Sequence, residues 1–502
     1  MHKDITYGME QIHSGEFRDM RNLTSVNIPY SVREICDAAF EGCTGLLDIN
    51  LPTSVRSIGG RAFEGCSNLS SIVMGEGITE IGDSAFKNCK SLVNVILPSG
   101  IKFISSYAFE NCIKLAKISV GSGLKWLGPY AFKGCKSLKS FDFPDGLPGV
   151  EKYTFTDCSD LLGVNLTESI EYIGEYAFSG CRSFKSIQLP IGAKQIGDYA
   201  FSGCAALPAL SLPNGLKEIG NYAFKDCTNL KSITIPAGVT KIGENAFYNC
   251  TNLKAINVQP ANEVYSSENG VLFNKDKTVL IAYPQGKLDE EYTVMGSVKA
   301  LGKYAFMNAR KIKTLNLPDG LTHIGEAEFK GCINLTGFTL PFSITNIGEG
   351  AFEECISLKN IIVPGRITDI KSNTFKNCAK LVTVVIPDGV TSVGWGAFEG
   401  CERLMAVNLP DSVTEIAWNA WNGCENISSV MLSDNISLIG GGTFHGCKNL
   451  TEIEIPRSVK KIEKSAFGEC AALEVAFVGC RKADITIDSE AFPSHTRIEY
   501  SE

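Results

Sequence analysis

Cysteine thiols are the most reactive groups in this chain, and seventeen of the nineteen fall on one interval of 23 residues, from Cys43 to Cys250 and from Cys332 to Cys470. Thiols at fixed spacing could serve as disulfide partners, metal ligands or nucleophiles. If each interval is one coil of a stack, neighbouring thiols form a column with Cα atoms about 4.8 Å apart. Disulfide geometry permits that distance, but the side chains of a column point the same way and not toward each other. Such a column is a line where a metal needs a tetrahedron, and no C-x-x-C pair is present. The column therefore reads as free, buried thiols acting as small apolar fillers. Cys36 and Cys480 stand outside it.

The other chemistry-bearing residues are sparser. The five histidines, His2, His13, His323, His445 and His495, lie far apart, and no phosphate-binding, dinucleotide-binding, zinc-protease or serine-hydrolase motif occurs. Asp and Glu are common enough that paired carboxylates for glycan cleavage stay as a remote alternative, although on a repeat surface they more often form a solvated face. The chain reads as a non-enzyme with no cofactor and no metal. Its net charge is −8 with 20% charged residues, and Lys and Arg are scattered, which argues against a nucleic-acid partner. No window of 18 apolar residues is present, so membrane insertion is not expected. The opening Met1-His2-Lys3-Asp4 lacks the apolar core of a leader.

The elements that position these residues follow from a second comb with the same period. Phenylalanine stands at 17, 40, 63, 86, 109, 132, 155, 178, 201, 224 and 247, and the comb resumes at Phe306, Phe329, Phe352, Phe375, Phe398, Trp421, Phe444 and Phe467. A period of 20 to 29 residues marks a leucine-rich solenoid, whose units bury their apolar edges on one another. One unit, Leu212 to Thr234, places Leu212, Leu216, Ile219, Ala223, Phe224, Cys227, Leu230 and Ile233 inward. Alternation around Ile233 predicts a half-buried strand ended by Pro236. Leu216 to Ile219 predicts a second short extended piece, and Ala-Phe-x-x-Cys a single helical turn. The outward sheet residues then lie eight and ten after each comb aromatic, such as Ser186 and Gln188, Ala209 and Ser211, or Ser232 and Thr234.

The fold class is thus a repeat solenoid, mainly β with short helical turns: a right-handed superhelix of about twenty coils. The predicted parts are an N-terminal arm over 1–258, a β-hairpin insertion over 259–294, a C-terminal arm over 295–478 and a cap over 479–502. The hairpin is read from Gly270 to Phe273, a polar turn at Asn274 to Lys277, and Thr278 to Tyr283.

The unit Leu/Ile-Pro-x-x-Val-x-x-Ile-Gly-x-x-Ala-Phe-x-x-Cys-x-x-Leu-x-x-Ile-x resembles the BspA-like, treponemal-type leucine-rich repeat over about residues 8 to 478, the insertion excepted. Departures include Thr154, Thr374 and Thr443 or Glu328 for Ala, Trp421 for Phe, and Ala309 for Cys. The resemblance implies a surface or secreted bacterial or protist binding protein that adheres to host matrix proteins or other cells, and no catalytic residues. The partner is then a protein or glycan, and the chain is expected to be a monomer at the cell surface or secreted. A cytoplasmic location is the alternative, as is a structural spacer without a partner. Candidate contact residues are aromatic. Tyr107, Tyr130, Tyr153, Tyr176, Tyr199 and Tyr222 stand two before the comb in six successive coils, a strip about 25 Å long. Trp395 and Trp418 occupy adjacent coils three before it, where exposed indoles would make hot spots. Either set could equally serve the stack alone.

Overall fold

The computed structural model describes residues 1–501. The chain divides into two compact units, Met1–Val264 and a second beginning at Tyr265, and each is a stack of parallel coils. Most coils carry a two-residue strand and, on another side, a strand of two to four residues. In the first unit the short strands Gln11–Ile12, Glu34–Ile35, Ser57–Ile58, Glu80–Ile81, Phe103–Ile104 and Trp126–Leu127 pair in parallel, each residue with the one 23 positions on. The Ile or Leu is buried and its neighbour faces out. The longer strands Asp48–Leu51, Ser71–Met74, Asn94–Ile96 and Lys117–Ser119 form the second sheet, alternately exposed and buried as the period-two pattern requires.

That second sheet is not continuous. Ser186, Gln188, Ala209 and Ser211 are exposed as their phase predicts, but only an isolated bridge from Gly163 to Ser186 forms there. Pro208 is the physical reason for part of the gap. Lys185 donates its amide to the Leu162 carbonyl at 2.8 Å and Lys231 to Pro208 at 3.1 Å, whereas Pro208 has no N–H to donate to the coil before it. Pairing resumes between Ser232–Ile235 and Ala255–Val258.

The comb is the core. Phe40, Phe63, Phe86 and Phe109 are wholly buried, and successive rings stack at 5.1 to 5.2 Å. Trp421 joins the same stack, 5.7 Å from Phe398 and 5.2 Å from Phe444. All nineteen cysteines are free, and the column is buried. Each column thiol donates to the comb carbonyl of the preceding coil, as Cys66 Sγ does to Phe40 O at 3.1 Å. Burial pushes the thiols from Cys43 to Cys424 up, Cys43 to about 11 and Cys250 to about 12, so they stay protonated and are poor nucleophiles, while at the end of the column the contact between Cys447 and Cys470 raises the first and lowers the second.

The Ala-Phe-x-x-Cys segment is not the helical turn its length suggests. It is a run of tight turns in which backbone amides bond to the next coil: Tyr107 N to Pro129 O at 3.1 Å, Phe109 N to Ala131 O at 2.8 Å, Asn111 N to Lys133 O at 2.7 Å. A helix would direct those amides along its own axis. To aim them at the neighbouring coil, residues two before and two after the comb take left-handed φ, 58° at Tyr107 and 59° at Asn111. The later position is filled by residues suited to that backbone, such as Gly65, Asn88, Gly134 and Asp226. Among the described residues the one helical element is a 3₁₀ turn at Lys482–Asp484.

In the second unit the predicted hairpin forms between Val271–Asn274 and Val279–Ala282, with Tyr265–Glu268 added antiparallel. Val279–Ala282 also pairs in parallel with Ala300–Leu301, which docks the hairpin on the solenoid sheet. Tyr283 takes the comb place ahead of Phe306, ring to ring at 5.2 Å. At the other end Phe492 stacks on Phe467 at 4.7 Å, and Arg497–Tyr500 pairs in parallel with Val475–Val478. The tail therefore covers the preceding coil by adding a further turn in phase.

Candidate recognition site

The six tyrosines two before the comb lie on one flank of the first unit, where the turn needs a left-handed residue. Their φ values run from 52° to 61°. Tyrosine there costs about 1–2 kcal/mol. The rings stack in sequence, 4.5 Å between Tyr107 and Tyr130 and 4.9 Å between Tyr199 and Tyr222, at contacts worth about 0.5–1.5 kcal/mol each. Stacking thus offsets the backbone strain, and it covers the faces of the inner rings. Lys87 Nζ lies 5.1 Å over the Tyr107 ring and Tyr248 packs edge-on against Tyr222, so the ends of the row are covered as well. The edges and hydroxyls of half-buried rings remain. Burial, helped by neighbouring carboxylates and phenols, pushes Tyr153, Tyr176 and Tyr199 up, which keeps the hydroxyls protonated as donors.

Trp395 and Trp418 lie in adjacent coils of the second unit, joined by the bond from Gly396 N to Trp418 O at 3.1 Å. They are 41% and 57% exposed. No ring contact joins the two indoles among the described residues, and each is held differently. Lys376 Nζ sits 5.0 Å over the Trp395 ring while bonding Glu399 at 2.9 Å. Trp418 lies against Gly440, where an added Cβ would fall 2.3 Å from the indole Cδ1. Both indoles are thus oriented by the protein and open to solvent.

The outward face of the longer-strand sheet is apolar in patches. Val73 with Ile96 and Ile362 with Val385 are exposed in paired coils, and Met431 and Phe477 flank Glu454 near the C-terminal end. An aromatic group on the short-strand sheet, Phe103, Trp126 and Tyr172, is absent from the sequence reading. Its signal is an aromatic six before the comb, where other coils of the unit have Gln11, Glu34, Ser57, Glu80, Gln195, Glu218 and Lys241.

Parallel 23-residue coils, a buried aromatic stack and two outward sheet faces define a leucine-rich-repeat scaffold. The family model described as the BspA type leucine rich repeat region matches residues 10–139, 61–183, 149–277, 289–404 and 368–499. The chain belongs to that family. Among solved structures, a leucine-rich repeat protein from Eubacterium ventriosum is 26% identical over 67% of this chain and 83% of its own, with a TM-score of 0.52. The pneumococcal vaccine antigen PcpA is 23% identical over 85% of each chain, TM-score 0.38. A leucine rich cell surface protein from Faecalibacterium prausnitzii is 23% identical over 97% of this chain and 91% of its own, TM-score 0.29. Among curated proteins none matches. No helix among the described residues is long and apolar enough to cross a membrane.

Proposed function

We propose that this chain is a non-catalytic recognition module that captures a protein partner, with Trp395 and Trp418 as its principal contacts. The carrying observation is that two indoles in adjacent coils are exposed and yet individually fixed, one beneath a lysine and one on a glycine. Exposed Trp held in place in the free protein gives large contact area at low ordering cost. The outward face of the longer-strand sheet extends the contact area, with the apolar pairs as secondary anchors. Tyr107, Tyr130, Tyr153, Tyr176, Tyr199 and Tyr222 would contribute hydroxyl edges, since their ring faces are engaged by one another. The family resemblance supports placement at the cell surface or outside the cell, where matrix proteins are the partner class to try first.

The test is capture of immobilised extracellular-matrix proteins by the full chain and by the double variant Trp395→Ala, Trp418→Ala. We expect at least a tenfold loss in the variant with an unchanged melting profile. No capture by the unmodified chain would favour a spacer that has no partner. Equal capture by both proteins would remove the indoles from the site.

A further inference from the structure

We propose that the short-strand sheet of the first unit carries a separate glycan site, in which Phe103, Trp126 and Tyr172 form a stacking platform for a linear chain of equatorially substituted sugars. The column in which these residues stand is polar in the unit's other coils and changes character in four successive ones, 103, 126, 149 and 172. Register sets two pairs side by side, Phe103 with Trp126 and Gly149 with Tyr172; between Trp126 and Gly149 the strands do not pair, because Pro148 has no N–H to donate to the Lys125 carbonyl. Over three coil steps the platform is about 14 Å long.

The rings are free to stack. Phe103 is 42% and Trp126 39% exposed, and among the described residues neither has an aromatic or cationic partner. Both contrast with the tyrosine strip, whose faces cover each other. Tyr172 is laid across the sheet by the glycine beside it. A Cβ at Gly149 would fall 2.3 to 2.5 Å from the Tyr172 Cζ, Cε1 and Cε2, so only glycine admits the ring there. The phenol donates to Glu151, which fixes the ring at its far end. Tyr172 is half-buried, with one ring face spent on Gly149.

Past Tyr172 the surface becomes a shallow groove of about 280 Å³ lined by Glu175, Gln195, Asp198, Glu218 and Lys241. The side chains of Gln195 and Glu175 have no hydrogen-bond partner among the described residues, whereas Asp198 accepts from Asn221 and Glu218 pairs with Lys241 at 3.8 Å. At the opposite end the exposed Lys102 and Lys125 precede Phe103 and Trp126 and have no ion pair among the described residues. A pyranose with equatorial hydroxyls has flat C–H faces that stack on aromatic rings and a rim of hydroxyls that accept and donate. Flat rings followed by amide and carboxylate groups in an open groove supply both halves of that recognition. A single-stranded nucleic acid would also stack, but it needs a cationic track, and the groove here presents Glu175, Asp198 and Glu218.

The site stands apart from Trp395 and Trp418, so its failure and the failure of protein capture are distinguishable. The experiment is calorimetric titration of the full chain with cellohexaose, with chitohexaose and with a 20-mer of thymidine. We expect saturable binding of at least one hexaose, weakened at least tenfold by Trp126→Ala and by Gly149→Ala, which displaces the Tyr172 ring, and changed less than twofold by Trp418→Ala. Indole fluorescence in a Trp395→Phe, Trp418→Phe background should still respond to the sugar, which guards against misfolding of the alanine variants. Binding of neither hexaose, hexaose binding that survives Trp126→Ala, or preference for the thymidine 20-mer would overturn the proposal.

Discussion

Glu328 shows how much one residue can depart from a repeat that otherwise tolerates little variation. It stands in the alanine column, between the buried Ala305 and Ala351, and is itself fully buried. Neither carboxyl oxygen has a hydrogen-bond partner. Burial pushes the group from 4.5 to about 8; the backbone amides of Ala305 and Phe306 pull it back only in part, neither being aligned well enough for a hydrogen bond. The folded state therefore holds a proton that the unfolded chain releases above about 4.5. In that window the native state binds more protons, so stability falls as pH rises, and the loss levels off above about 8. The full effect is about 4–5 kcal/mol. Glu328→Ala, which restores the column residue, should abolish this fall, so the gap in melting temperature between variant and parent should widen from pH 5 to pH 8. Parallel curves across that range would mean the carboxyl is solvated. The tyrosine column is the opposite case at this scale: each residue accepts an unfavourable φ, and the next ring compensates.

At the scale of the element, the coil is the unit that the 23-residue period describes. Phe224 is wholly buried between Phe201 and Phe247, at 5.6 and 5.7 Å. Its amide bonds to Ala246 O at 2.8 Å, and its carbonyl receives the Cys250 thiol at 3.0 Å. Truncating such a ring leaves a cavity that the stacked neighbours cannot close without moving. Phe224→Ala should lower the hydrogen-exchange protection of the Phe201 and Phe224 amides by about 3–5 kcal/mol. Protection equal to the parent's would show that the ring contributes nothing to the coil. The columns of apolar residues were legible in sequence because each needs only its own phase. The turn was not: Ala-Phe-x-x-Cys has the composition of a helical turn, and its left-handed residues are demanded by hydrogen bonds to another coil. The glycine, asparagine and aspartate two after the comb carried that signal.

For the whole molecule, stability is a sum of coil terms and nearest-neighbour terms, because the strand pairs, ring stacks and thiol bonds that hold the stack run between consecutive coils. Unfolding in urea should then be spread over several steps. Far-ultraviolet dichroism, which averages all coils, and indole fluorescence, which reports on Trp126, Trp395, Trp418 and Trp421, should give transitions that do not coincide. Coincident curves would mark one cooperative unit. Sequence alone determined the period, the buried columns, the solenoid class and the family, since these repeat in every coil and depend only on a residue's phase. Tertiary structure decided which aromatic faces are free. It closed the tyrosine rings on one another, laid Tyr172 on Gly149 and Trp418 on Gly440, and brought Tyr283 and Phe492 into the comb. Each of these outcomes depends on a neighbour in an adjoining coil, about 23 positions away or more, whose approach is set by coil stacking and cannot be read from a residue's own surroundings in the chain.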